Sequence, residues 1–172
     1  VSNFKRWLWD WVETIVVALL LALIIRALVV QVFWIPSASM EPTLNIQDRI
    51  IVNKFIYRFK EPERFDVIVF RYPGSGPKKD FIKRVIGLPG EKLEIKNGRV
   101  FINGVPLTEN HSMNSDFSYF GPVKIPAKAY LCLGDNRPRS ADSRVWGFVP
   151  RKNIYGPAFL KIWPIWEVGI IR

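Results

Sequence analysis

One apolar run limits what this chain can fold into. Residues 11–34 read WVETIVVALLLALIIRALVVQVFW. As a helix rising about 1.5 Å per residue, the run is long enough to cross a hydrocarbon core of about 30 Å. Trp7, Trp9 and Trp11 stand at one end and Phe33 and Trp34 at the other, as rings that favour the headgroup region would. Lys5 and Arg6 precede the run, and the next basic residue beyond it is Arg49. That bias predicts an N-terminus in the cytoplasm and the remainder outside. Arg26, inside the run, is expected to snorkel to the interface. A cleaved signal peptide is the competing reading, and Ser37-Ala38-Ser39 resembles a small-x-small cleavage site. A signal's apolar region spans about 7–15 residues, so this longer run reads as a retained anchor. The expected division is a cytoplasmic tip and single anchor helix over residues 1–35 and a body over residues 36–172.

Beyond Ile35 the helical period is gone. Short runs rich in Val, Ile, Phe and Tyr alternate with Pro, Gly and Asn turns, the pattern of antiparallel strands. DVIVFRY at 66–72 and FIKRVIG at 81–87 make one hairpin. Asn97-Gly98 and Asn103-Gly104 separate three further runs, and Asn-Gly is the strongest short hairpin signal because both residues tolerate positive φ. The expected fold class is mainly β, an antiparallel sheet or barrel-like catalytic domain behind one transmembrane helix. A small hairpin and loop subdomain is expected at about 96–125.

Composition narrows the partners. The 172 residues carry a net charge of +10, which favours anionic surfaces such as phospholipid headgroups. Nucleic acid is not expected, because there is no recognition-helix pattern, zinc spacing or aromatic RNA-binding signature. The single cysteine, Cys132, lies in the apolar run AYLCLG and reads as a small buried hydrophobe. The single histidine, His111, lies in the polar stretch NHSMNS. No His, Cys or carboxylate pair has metal-ligand spacing, so neither metal nor cofactor is expected.

Three stretches carry possible chemistry. In DFIKRVIG, residues 80–87, strand alternation puts Phe81, Lys83 and Val85 on one face and Ile82, Arg84 and Ile86 on the other. In IPSASMEPTL, Ser37 and Ser39 sit between Pro36 and Pro42. A serine nucleophile needs a base. A lysine can serve only as the neutral amine, and lowering its pKa to about 8 costs roughly 3 kcal/mol, which desolvation can supply. Lys83 has apolar neighbours on its own face. Arg84 points the other way, where it can stay solvated or pair with a carboxylate. The plain alternatives stand beside this reading: Lys83 as a strand lysine snorkelling from an edge, and the two serines as an ordinary loop. A third stretch, GDNRPRSADSRVWGFVP at 134–150, offers Asp142 and Arg144 as mutual braces and Ser140 as a hydroxyl able to orient a neutral amine.

Together and in this order, behind one anchor, PSASMEPTL, DRIIVNKF, DVIVF, FIKRVIGLPGE and GDNRPRSADSRVWGFVP resemble the bacterial type I signal peptidases, serine–lysine dyad membrane peptidases of the S26 family. The resemblance implies Ser39 as nucleophile and Lys83 as general base, with the Ser37 hydroxyl and the Ser39 N–H forming an oxyanion hole. It implies that Ser140 positions the lysine, that Asp142 and Arg144 form a structural ion pair, and that Met40 and Arg84 support the site. Pro138 and Arg139 depart from the family's usual Asn or Asp then Asn, and Gln47 stands where a glycine is common. The implied function is removal of N-terminal signal peptides from secreted preproteins, with small residues one and three positions before the cut. The implied location is the outer surface of the bacterial cytoplasmic membrane. Trp163 and Trp166 are candidates either for lipid contact or for the core. The alternatives are another serine–lysine peptidase of related fold, or a membrane-tethered β domain that is a non-catalytic scaffold.

Overall fold

The apolar run divides into two kinds of structure. The computed structural model describes residues 2–75, 77 and 79–171. The side chains of residues 2, 3 and 26–28 lie outside this description, and with them the snorkelling expected of Arg26. Helix α1 covers Ser2–Leu28, and its 22 residues Phe4–Ile25 are long and apolar enough to cross a membrane. Its side chains from Phe4 to Ile25 are all exposed; with no protein packed on them, they suit a lipid surround.

The helix does not reach Trp34. Val30–Trp34 is strand β1, paired antiparallel with β2, Arg49–Asn53, from Val30↔Asn53 to Trp34↔Arg49. The expectation of one helix through residue 34 is therefore corrected. Val, Phe and Trp suit a pleated strand as well as an apolar helix, and here the ladder to Arg49-Ile-Ile-Val-Asn53 decides. Phe33 and Trp34 are thus sheet residues and not the outer belt of a helix. Phe33 packs on the buried cluster of Ile35, Ile50 and Val52 and stacks on Tyr155 at 6.4 Å.

The remaining elements are β3 (Val67–Arg71), β4 (Asp80–Gly87), β5 (Lys92–Lys96), β6 (Arg99–Ile102), β7 (Val105–Pro106), β8 (Phe120–Lys124), β9 (Ala129–Leu133), a short helix α2 (Ser143–Trp146), β10 (Val149–Pro150), β11 (Ile154–Trp163) and β12 (Gly169–Ile170). The main sheet runs β1-β2-β11-β3-β4-β9-β10, with β12 beside β11, and a second sheet runs β7-β6-β5-β8. The neighbours pair antiparallel throughout. The two Asn-Gly turns form as read: Asn97, Gly98, Asn103 and Gly104 all have positive φ, and they join β5 to β6 and β6 to β7.

Strand β4 is the element that positions the site. From Ile82 to Gly87 it is buried on both faces. Val85 enters a cluster with Ile68, Phe70, Tyr130 and Cys132, while Ile86 enters another with Leu93, Ile95 and Leu131. Each such side chain contributes about 1.5–3 kcal/mol on burial. A strand covered on both faces normally reads as unbroken apolar sequence. Lys83 and Arg84 interrupt it, so each buried cation needs its own compensation.

Candidate active site

Directly after β1 the chain makes a single 3-10 turn, Ala38–Met40. Met40 and Leu44 are fully buried beneath it, so the turn is plugged into the core. From the far end of the sequence, the Asn136 backbone N–H donates to the Ser39 carbonyl at 3.1 Å and the Asn136 side-chain amide donates to the Ala38 carbonyl at 3.0 Å. Ser39 is held with 7% of its surface exposed. Ser37 is more open, and its hydroxyl lies 3.4 Å from Ser39 Oγ.

Lys83 reaches this turn from β4. Its Nζ lies 2.6 Å from Ser39 Oγ and 2.9 Å from the Ile82 carbonyl, and the residue is 4% exposed. The Phe81 ring, on the same strand face as expected, has its centroid 5.8 Å from Nζ. Burial pushes the Lys83 ammonium down to about 8, against the pull of Asp142 and Asp135 toward the charged form. At that value the amine is neutral often enough to hold a free lone pair near neutral pH. The same 2.6 Å contact is within the reach that proton transfer from Oγ to Nζ requires.

Arg84 meets the opposite fate. It is wholly buried and forms a two-pronged pair with Asp135, Nε to Oδ1 at 2.9 Å and Nη2 to Oδ2 at 2.6 Å. It also donates to the Phe65 carbonyl at 2.9 Å. Of the two environments expected for Arg84, solvent or a carboxylate, the second is found. Thr43 Oγ1 donates to Asp135 Oδ2 at 2.6 Å, tying the pair back to the serine turn.

The loop after β9 closes the site. Asp142 caps α2 by accepting from the Arg144 N–H and also accepts from the Gly134 N–H at 3.1 Å. Arg144 grips the same carboxylate through Nε and Nη2, each at 2.9 Å, and reaches Asp116 at 2.7 Å. A Cβ on Gly134 would fall 2.2 Å from Ser140 Oγ and 2.4 Å from the Ser39 carbonyl, so this close approach is open only to glycine. Ser140 therefore lies beside the serine turn. Its hydroxyl is buried and unpaired among the described residues, and it makes no hydrogen bond to Lys83. Pro138 occupies the first turn of a 3-10 segment, Arg137–Arg139, where its fixed φ fits. Gln47 has φ +73°, the left-handed conformation for which glycine is the usual choice. Cys132 is buried, and burial pushes its thiol up. Among the described residues no group of three or more His, Cys, Asp or Glu is placed to hold a metal.

The family described as signal peptidase, peptidase S26, matches residues 8–163. The chain belongs to that family. It is 45% identical over 168 residues to probable signal peptidase I-2 of Synechocystis sp., covering 94% of this chain and 77% of that one. It is 47% identical over 169 residues to signal peptidase I of Leptolyngbya laminosa, covering 94% and 83%. A crystal structure of a signal peptidase I from Enterococcus faecalis aligns with 57% of this chain and 97% of its own, at 35% identity and a TM-score of 0.48. The activity is that of signal peptidase I, a serine endopeptidase that removes signal peptides from preproteins. The apolar N-terminal helix is consistent with a membrane-anchored enzyme of this kind. The readings as a different serine–lysine peptidase or as an inert scaffold give way to this one.

Of the residues singled out in the sequence, the structure brings Ser37, Ser39 and Lys83 into one chain of contacts and joins Asp142 to Arg144 beside it. Met40 lies beneath the turn, and Arg84 points away on the far face of β4. Sequence reasoning missed Asp135 and Asn136, whose partners lie roughly 50 and 100 residues back in the chain. It also missed Ser143, whose Oγ accepts from the Cys132 N–H at 2.9 Å. All three lie within the quoted GDNRPRSADSR stretch, and only their distant partners could single them out. His111, read as part of a polar loop, is instead an inward residue with 5% of its side chain exposed.

Proposed function

We propose that Ser39 is the nucleophile and Lys83 its general base, a reading carried by one observation: a buried Nζ 2.6 Å from a buried Oγ. Neutral Lys83 takes the Oγ proton as Oγ bonds to the scissile carbonyl carbon. The carbonyl oxygen becomes an oxyanion, held by the Ser37 hydroxyl and the Ser39 N–H at about 3 kcal/mol per donor. The Lys83 ammonium then protonates the leaving amine, and the C–N bond breaks to leave an ester on Ser39. Lys83 next removes a proton from water, whose oxygen attacks the ester, and the proton returns to Oγ as the signal peptide leaves. Met40, Arg84, Asp142 and Arg144 hold these groups in place. Ser140 is the nearby hydroxyl that orients the amine, and its unpaired state leaves it free to turn toward Nζ.

The substrates are secreted preproteins, read as extended strands. Among the described residues β9 pairs with β4 only from Arg84 onward, which leaves the Asp80–Lys83 margin open to an added strand. Small residues are expected one and three positions before the cut. The enzyme is anchored once in the bacterial cytoplasmic membrane, N-terminus inside and catalytic body outside, a reading supported by Lys5 and Arg6 in the first turns of α1. The anchor gives way to the catalytic body at the end of α1, and residues 92–124 form the hairpin subdomain. Trp163 and Trp166 are 44% and 76% exposed. Exposure on that scale favours contact with lipid over a place in the core.

Cleavage of a preprotein in detergent at pH 8 tests the dyad. Ser39→Ala and Lys83→Ala should each lose about a thousandfold or more in kcat, as removal of a nucleophile or its base does elsewhere. Full activity in Lys83→Ala would overturn the assignment.

A further inference from the structure

The proposed mechanism leaves a buried titratable cluster around His111 unused. His111 packs its ring 5.6 Å from that of Phe65, and both ring nitrogens are buried without a hydrogen-bond partner among the described residues. Its Nε2 lies 3.7 Å from Glu109 Oε1 and 3.6 Å from Asp135 Oδ1. Each carboxylate already has a cation of its own. Glu109 takes both prongs of Arg137 from the segment after β9, and Asp135 takes both prongs of Arg84 from β4. The charged groups facing the imidazole are therefore two carboxylates and two guanidiniums, balanced while His111 is neutral. A proton on His111 adds a third buried cation with no third anion, the costly arrangement for a desolvated charge. Burial and Arg84 accordingly hold the imidazole below its ordinary range.

The cluster is coupled to the serine turn through backbone. Asn114 N–H donates to the Asp135 carbonyl at 2.9 Å and Arg137 N–H to the Asn114 carbonyl at 3.0 Å, zipping the loop that carries His111 onto residues 135–137. Asn136, between them, holds the carbonyls of both Ala38 and Ser39. Arg84 adjoins Lys83 on β4.

We infer that His111 is a positioning residue: its neutral imidazole seats the 109–116 loop against residues 135–137 and so holds the Ser39 turn, and its protonation unseats both. The inference rests on the reading of Ser39 and Lys83 as the dyad. It makes the enzyme self-limiting in acid, beyond the loss due to protonation of the lysine itself.

His111 is the only histidine in the chain, so the untagged enzyme in detergent gives its imidazole NMR signal without ambiguity. The signal should titrate below about 6.5, and the backbone amide of Asn136 should shift with the same midpoint. The logarithm of kcat should fall with pH at unit slope while only Lys83 protonates, then at a slope of about two below the His111 midpoint. In His111→Gln and His111→Phe the unit slope should continue, so that each variant exceeds the parent about tenfold one pH unit below that midpoint. An imidazole titrating at 6.5 or above, an unmoved Asn136 amide, or a parent slope that stays at one overturns the inference. If neither variant folds, the NMR titration and the parent's slope still decide. Failure of the dyad shows separately, in Ser39→Ala and Lys83→Ala assayed at pH 8 where His111 is neutral.

Discussion

Lys83 and Arg84 are consecutive basic residues, both buried, and their surroundings differ. Arg84 faces a carboxylate with both prongs engaged. Lys83 faces Phe81, the Ile82 carbonyl and a hydroxyl, with no salt-bridge partner among the described residues. Holding its ammonium at about 8 and not at its ordinary 10.5 costs the fold about 3 kcal/mol at neutral pH. The sign follows from proton counts. Between pH 8 and 10.5 the unfolded lysine binds more proton than the folded one, so stability rises with pH through that window and the penalty is complete below it. Lys83→Met, similar in length and uncharged, should therefore abolish cleavage yet raise stability at pH 7 by about 1–3 kcal/mol in urea denaturation. The gain should shrink toward pH 10.5; a variant less stable than the parent at pH 7 would contradict the desolvation argument. At this scale the sequence was informative where a residue's neighbours decide its chemistry, as with Lys83 between Phe81 and Val85. It was silent on Asp135, Asn136 and His111, whose roles arise from contacts that only the finished fold makes.

Among the elements, local signals were reliable where the backbone itself imposes the requirement. Asn97-Gly98 and Asn103-Gly104 are legible because positive φ is needed at each of the four residues. The two glycines differ in surroundings. A Cβ at Gly98 would fall 1.9 Å from the Asp116 carbonyl oxygen, whereas one at Gly104 meets nothing within 4 Å. Gly104→Ala should cost about 1 kcal/mol, the conformational price of a left-handed alanine. Gly98→Ala should cost at least about 1 kcal/mol more, because backbone must move. Equal midpoints in urea would show that Asp116 shifts freely. The end of α1 was not legible for a different reason. Apart from Gln31, apolarity continues from Leu28 into Val30–Trp34, and only pairing with Arg49–Asn53 separates the apolar helix from the sheet edge. A one-dimensional hydropathy reading has no access to that ladder.

On the scale of the whole molecule, the order of elements sets the Ser39 turn close behind the long apolar helix. The helix leads without a linker into β1, β1 leads into the Ser39 turn, and the turn is locked from beneath by Met40 and Leu44 and from the side by Asn136. Lys83, the proposed base, arrives on β4, which is buried from Ile82 to Gly87. Family membership was readable because five stretches occur together; the resemblance named the residues, and the burial of Lys83 supports the proposal that a lysine acts where a histidine is usual. That reason is dryness at Nζ, and the pH dependence of kcat/KM for preprotein cleavage tests it most directly. A neutral amine is required, so the rate should climb with pH to a plateau with its main midpoint near 8, where burial holds Lys83, and the same midpoint should persist in His111→Gln. A rise centred near 10.4, the titration of an ordinary lysine, or a main midpoint that disappears with His111, would contradict it.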